Sequence, residues 1–389
     1  MPIKARATTV ADKYCPGKQI FEVFKMTALT VTTLEVRKNS WSDARIKTES
    51  LDTELKESEV LFRVDRQALT ANNISYAAAG DSLAYWGFFP TDEGWGRIPA
   101  MGWAEVIESR HPDVKIGERV WGFFPYATHH KILAGKANAF SFSDISEHRA
   151  THAPVYCQFD RASGNPIYEP AREDQDSLLR GLFMTSWLVE DFIEVNATFG
   201  AQACLITSAS SKTSIALGHC VKQRGKLVSI GITSAGNVAF CEGLGCYDKV
   251  VSYDEVHSLD ASRPVVMVDM AGSARVITDL HNHYGDNMMH SCRIGATHYD
   301  EMGEVQGLPG AKPAFFFAPS HIKVRSEEMG AKEFMGMLGI AFSRFRVFCD
   351  SWMKVEQSYG PEAVIETYQL VLAGKADPVA GQIVSMRPQ

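Results

Sequence analysis

Ala203-Cys-Leu-Ile-Thr-Ser-Ala-Ser-Ser-Lys-Thr-Ser214 is an apolar run that breaks into small hydroxyl residues and then continues as a helix. Residues 203–207 have the length of a buried strand. Residues 213–224 read as a helix closed by Gly225, and residues 226–230 form the next strand. Residues 235–243 follow as a helix, and residues 249–252 and 265–269 as further strands. Strands alternating with helices at this spacing imply βαβ units and a parallel sheet covered on both faces.

The turn at 207–214 is where such a sheet holds a dinucleotide, on the free N–H groups and positive dipole end of the helix. The usual G-x-G-x-x-G signature is absent. Ser208, Ser210, Ser211 and Thr213 supply small side chains and hydroxyls in its place, and Lys212 adds charge. The alternative is a serine-rich helix cap. The second strand sharpens the reading. An NAD site ordinarily ends that strand with an acid that bonds the ribose. Here Ser229-Ile-Gly-Ile-Thr-Ser-Ala-Gly-Asn237 has none. Thr233, Ser234 and Asn237, with Lys212 nearby, suit a 2′-phosphate, so the expected cofactor is NADPH.

The chain around this stretch has 389 residues, 45% apolar and 22% charged, which points to two globular domains. Its net charge of −7 disfavours nucleic acid as a partner. No apolar run reaches the roughly 18 residues of a membrane span. The first 26 residues lack the apolar core of a secretory signal, and the eight cysteines form no framework, so reduced thiols and a cytoplasmic location are expected.

The first half reads as β-rich, with strands at 27–36 and 59–65 separated by a polar stretch at 38–57. Gly and Pro then mark turns from Gly80 to Gly102. Residues 177–195 have helical spacing, a long helix starts near Ser326, and the chain closes with a helix at 361–373 and a strand at 382–386. His129, His130, His148 and His152 lack partners at metal-ligand spacing, so no metal is expected.

Several segments carry a resemblance. Ile98-Pro-Ala-Met-Gly-Trp-Ala-Glu-Val106 followed by Ile116-Gly-Glu-Arg-Val-Trp-Gly122, then Thr70-Ala-Asn-Asn-Ile-Ser-Tyr76, Leu182-Phe-Met-Thr-Ser-Trp187 and Leu372-Ala-Gly-Lys-Ala-Asp-Pro-Val-Ala-Gly-Gln-Ile-Val384 are similar, in order, to segments of the medium-chain dehydrogenase/reductase superfamily. They resemble its zinc-free quinone- and enoyl-reductase branch, in a divergent family. The resemblance implies an α/β chain with a Rossmann-type parallel sheet domain and a β-rich GroES-like barrel domain. The implied boundaries are 1–192 with an N-terminal extension at 1–26, then 193–325, then 326–389 returning to the barrel.

The resemblance also places a substrate cleft between the domains. Asn72 and Tyr76 are the catalytic candidates, Tyr76 as a proton donor. Tyr85 and Trp86 would roof a pocket or serve as core, and Tyr126 and His129 are rival donors. Thr185, Asp269, Gly272 and Gly295 join the cofactor-binding set, and residues 314–318 would pair across a homodimer.

The expected activity is zinc-independent, NADPH-dependent reduction of an activated C=C bond in an apolar or conjugated small molecule: an enone, enoyl thioester or quinone. A carbonyl reductase and a catalytically silent nucleotide-binding protein are the alternatives.

Overall fold

The computed structural model describes residues 28–270, 272–294 and 307–389. Strands β1 (Ala28–Arg37) and β2 (Ser40–Asp52) form an antiparallel hairpin. β2 occupies most of the polar stretch that sequence alone leaves as a connection. It buries no residue, and charges carry it instead. Arg45 pairs with Glu35 at 2.6 Å and Lys47 with Asp92 at 2.9 Å.

β3 (Glu59–Ala68) leads into helix α1 (Ala71–Ala78), and β4 (Trp95–Gly96) then pairs with β1. β5 (Pro99–Ser109), β6 (Arg119–Pro125), β7 (His129–Gly135) and β8 (Ser141–Asp144) follow. Short helix α2 (Pro154–Cys157) precedes β9 (Gln158–Arg161). The ring β3-β5-β6-β9-β8-β7 closes through β7 on β3, giving a six-stranded barrel. Alternate residues point inward, among them Val60, Phe62 and Val64, and meet Phe124, Phe142 and Phe159.

Helix α3 (Glu173–Val195) leads out of the barrel. Beyond it the chain alternates: β10 (Ala203–Ile206), α4 (Lys212–Arg224), β11 (Val228–Thr233), α5 (Val238–Gly243), β12 (Lys249–Ser252), β13 (Val265–Asp269), α6 (Ala274–Tyr284), β14 (Met288–Arg293) and β15 (Pro313–Phe315). All six strands are parallel, in the order β12-β11-β10-β13-β14-β15, as the alternating pattern anticipates. The order reverses between β10 and β13, and ligands bind at such a crevice in open parallel sheets.

The single long helix expected from Ser326 is instead two, α7 (Ala318–Met329) and α8 (Ala331–Asp350). Gly330 separates them with φ at 92°, a conformation that a helix interior excludes. β16 (Lys354–Tyr359), α9 (Pro361–Leu372) and β17 (Ala380–Ser385) return the chain to the barrel, where β17 pairs antiparallel with β3. The result is a Rossmann-type sheet beside a GroES-like barrel.

Among the described residues no helix is long and apolar enough to cross a membrane. Seven cysteines lie in the described residues, all unpaired and buried.

Candidate functional site

At the carboxyl end of β10 the chain turns without glycine, and neighbouring side chains hold the turn. Ser208 takes the left-handed conformation (φ 49°) that glycine adopts at no steric cost. Its N–H donates to the Tyr253 hydroxyl at 3.2 Å. The Ala209 N–H donates to the Ile232 carbonyl on β11 at 3.0 Å, and the Tyr247 hydroxyl donates to the Ala209 carbonyl at 2.8 Å. The Tyr247 ring lies where a Cβ on Gly218 or Gly231 would stand, so these two glycines make room for it. Neither tyrosine follows from the turn's own sequence.

The hydroxyls divide their work. Ser211 caps α4, its side chain accepting the Ser214 N–H, and the Ser214 hydroxyl donates back to the Thr207 carbonyl at 2.8 Å. The Ser210 hydroxyl accepts from Asn237 Nδ2 at 3.0 Å and lies 3.4 Å from Thr233 Oγ1, which brings three expected cofactor residues together. Ser234 is exposed beside them, and no acid stands between Thr233 and Asn237. Lys212 and Thr213 begin α4, where backbone N–H groups have no intrahelical acceptor. These donors, the small side chains around them and the absence of an acid fit a dinucleotide phosphate.

Two expected members of the set face elsewhere. Lys212 Nζ donates to the carbonyls of Ala380 at 2.6 Å and Pro378 at 3.4 Å, not into the turn. The Thr185 hydroxyl donates to Gly181 within its own helix. Its neighbour Ser186 is the residue that reaches α4, at the Thr213 carbonyl. Asp269, at the end of β13, accepts from Thr207 Oγ1 and from the N–H of Gly272, which has φ at 76°. Gly295 lies outside the described residues.

On the barrel side the segment around Tyr76 is helix α1. Asn73 starts it, accepting the Thr70 N–H and donating to the Pro99 carbonyl. One turn on, the Tyr76 ring packs at a tilt against Tyr85, 4.6 Å between centroids. Tyr156 joins from α2, 6.2 Å from Tyr85 and 5.0 Å from Phe123. Burial raises all three phenols above their ordinary range, opposed at Tyr76 by a hydrogen bond from Asn72. They are therefore protonated donors at neutral pH. Tyr156 had no sequence signal, because its neighbour in space, Phe88, is remote in the chain.

The other candidates separate from this cluster. Trp86 is a core residue wedged between Gly80 and Gly96, where an added Cβ would come within 2.3 Å of its ring. The Tyr126 hydroxyl, fully buried, donates to the Ala68 carbonyl. His129 bonds Thr128 and stands near Arg63 and Arg387. Burial and these two cations lower its pKa to about 4, which leaves it neutral. Among the described residues no group of three His, Cys, Asp or Glu stands at metal-binding distance. Two small depressions, around Glu190 and Arg224 and around Asp65 and Gln357, lie away from the sheet's carboxyl ends.

A family model described as "Protein of unknown function (DUF2855)" matches residues 67–377. No curated protein matches the sequence. Among solved structures, the chain is similar to CurA in complex with NADPH from Vibrio vulnificus, with a TM-score of 0.61 and 11% identity over 93% of this chain and 100% of that one. It is also similar to CurK enoyl reductase (TM-score 0.54, 13% identity, 91% and 99% covered) and to the quinone oxidoreductase from Coxiella burnetii (TM-score 0.53, 14% identity, 92% and 100% covered). The fold is that of medium-chain enoyl and quinone reductases.

Proposed function

The chain belongs to the DUF2855 family, and from that premise we propose a zinc-independent, NADPH-dependent reductase of an activated C=C bond in an enone, enoyl thioester or quinone. The observation that carries this reading is the hydroxyl-built turn at the start of α4, beside the point where the sheet order reverses. The names of the structural neighbours support it, because they include an NADPH complex, an enoyl reductase and a quinone oxidoreductase.

In this reading the N–H groups of Lys212 and Thr213 and the hydroxyls around Ser210 hold the phosphates. Ser234 and Asn237 accommodate the 2′-phosphate. The bound dinucleotide supplies a hydride to the electron-poor carbon. Tyr76, beside Asn72 and packed against Tyr85, donates a hydrogen bond to the substrate oxygen as negative charge develops there. The three aromatic rings give a conjugated substrate an apolar wall. The division at 192/193 and 325/326 belongs to the same reading. So does a homodimer through residues 314–318, although the strand there is only Pro313–Phe315 and the 52% exposed Phe317 already leads into α7.

Titration of the purified protein with NADPH and with NADH, followed by enones, quinones and aldehydes under saturating cofactor, tests the proposal. Tighter NADPH binding and oxidation of NADPH by an enone or quinone are expected. Preference for NADH, turnover of aldehydes alone, or loss of activity on extensive chelation would each overturn its corresponding part. Light scattering that gives a 43.0 kDa particle would remove the dimer.

A further inference from the structure

Arg293 closes β14 at the carboxyl edge of the parallel sheet and is 5% exposed. Its Nε and Nη1 are buried without a hydrogen-bond partner. Other buried arginines have acids: Arg149 donates to Asp144, and Arg346 pairs with Asp176 and Glu169. Among the described residues Arg293 makes no such pair. A guanidinium does not shed its proton, so a buried one without an acceptor is a large unmet demand for a negative or strongly polarised oxygen.

Its position limits what that oxygen belongs to. In register Arg293 lies between Asp269 on β13 and Phe315 on β15. β14 is two strands from β10, so at ordinary strand spacing Arg293 is about 10 Å from the phosphate-holding turn. Asp269, its neighbour, already accepts from Thr207 and Gly272. The carboxyl end of β14 borders the crevice in which the proposed reading puts the reacting groups.

We propose that Arg293 anchors an anionic oxygen of the substrate, and that the substrate is accordingly an enone, enoyl thioester or quinone that also carries a carboxylate. The planar fork of Arg matches a carboxylate through two parallel hydrogen bonds, which a neutral amide cannot reproduce. This rests on the reading of the crevice as a reductase site, and it narrows the substrate class.

The probes are cinnamate and cinnamamide, which differ only in the charged end. They are titrated into the protein alone and with NADP⁺, following tryptophan fluorescence. The wild type is expected to bind cinnamate at least about tenfold more tightly than the amide, a modest value for a charge-assisted pair. Arg293→Gln should abolish that preference, Arg293→Lys should keep part of it, and NADPH affinity should stay within about twofold, since the turn is distant.

Equal binding of the two probes by wild type, or an undiminished preference in Arg293→Gln, overturns the proposal. Loss of NADPH affinity in that variant also overturns it and assigns Arg293 to the cofactor. Failure of the wild type to bind NADPH, with the carboxylate preference present and lost in the variant, removes the reductase reading but leaves the anion site standing. Arg293→Lys decides the matter if Arg293→Gln does not fold.

Discussion

The ammonium of Lys212 lies 2.6 Å from the carbonyl oxygen of Ala380, so the first residue of α4 grips the first residue of β17. A side chain at the start of α4 is thereby spent on the segment that returns to the barrel. Burial lowers its pKa to about 8, which leaves it mostly charged at neutral pH.

Lys212→Ala should therefore act on stability. Removing the donor leaves two carbonyls without it, and a loss of about 1–3 kcal/mol is expected by denaturant unfolding. NADPH affinity should change by less than about twofold. A tenfold loss of affinity at unchanged stability would show that the ammonium turns to the phosphate when the nucleotide binds.

Gly231→Ala tests the packing beneath the turn. Its new Cβ would stand 3.0 Å from the Ala209 Cβ and 3.1 Å from the Tyr247 ring. Overpacking of this kind costs about 1–3 kcal/mol. Gly236→Ala, with nothing within 4 Å, is the control and should stay within about 0.5 kcal/mol. Thermal unfolding of both variants separates the two outcomes.

Acid should destabilise the fold through its buried histidines. Burial lowers His129 and His219 to about 4 and His130 to about 3, against an ordinary value of 6.5. The unfolded chain takes up these protons first. The stability contributed by neutral histidine is therefore complete above pH 6.5 and is lost as pH falls through 4. Asp176, pushed up to about 6 by burial, and Glu190, also raised by burial, oppose this over part of the range, two groups against seven histidines lowered by burial among the described residues. Denaturant midpoints measured from pH 7 to pH 4.5 should fall. A flat profile would contradict the buried, neutral histidines.

The sheet was legible in sequence because its strands are buried on both faces and its helices end at recognisable signals such as Gly225. β2 was not, since it has no buried face to produce an alternation and is stabilised by ion pairs with Glu35 and Asp92. α1 is too short for a helical period to show, and its only marker is Asn73 placed three residues after Thr70. At the site, Ser210, Thr233 and Asn237 could be grouped from the βα pattern alone. The reach of Lys212 could not, because its acceptors are backbone carbonyls 166 and 168 residues away. Tyr247 and Tyr253 escaped for a related reason: their roles lie in contacts with a turn dozens of residues earlier in the chain.

Tyr76→Phe removes one hydroxyl and keeps the ring that packs against Tyr85. If Tyr76 donates to the substrate oxygen, turnover should fall by at least about tenfold, with NADPH affinity unchanged. Full activity would move the donor to Tyr156 or Tyr85, which share the cluster, and the corresponding phenylalanine variants would locate it.

A loop that bends through glycine carries its shape with it, whereas the turn between β10 and α4 borrows its shape from outside. Ser208 is held by Tyr253, Ala209 by Tyr247 and Ile232, and Ser210 by Asn237. Such a turn is not portable. Grafted alone into another parallel sheet, residues 207–214 would keep their letters and lose their form. Replacing them here with a glycine-rich signature would free the backbone, remove the Ser208 hydroxyl from Tyr253 and leave the two tyrosines to hold a looser chain through its N–H and carbonyl groups. The turn and its surrounding side chains therefore form one inheritable unit, in which a change at Tyr247 or Tyr253 is felt as a change in the loop itself.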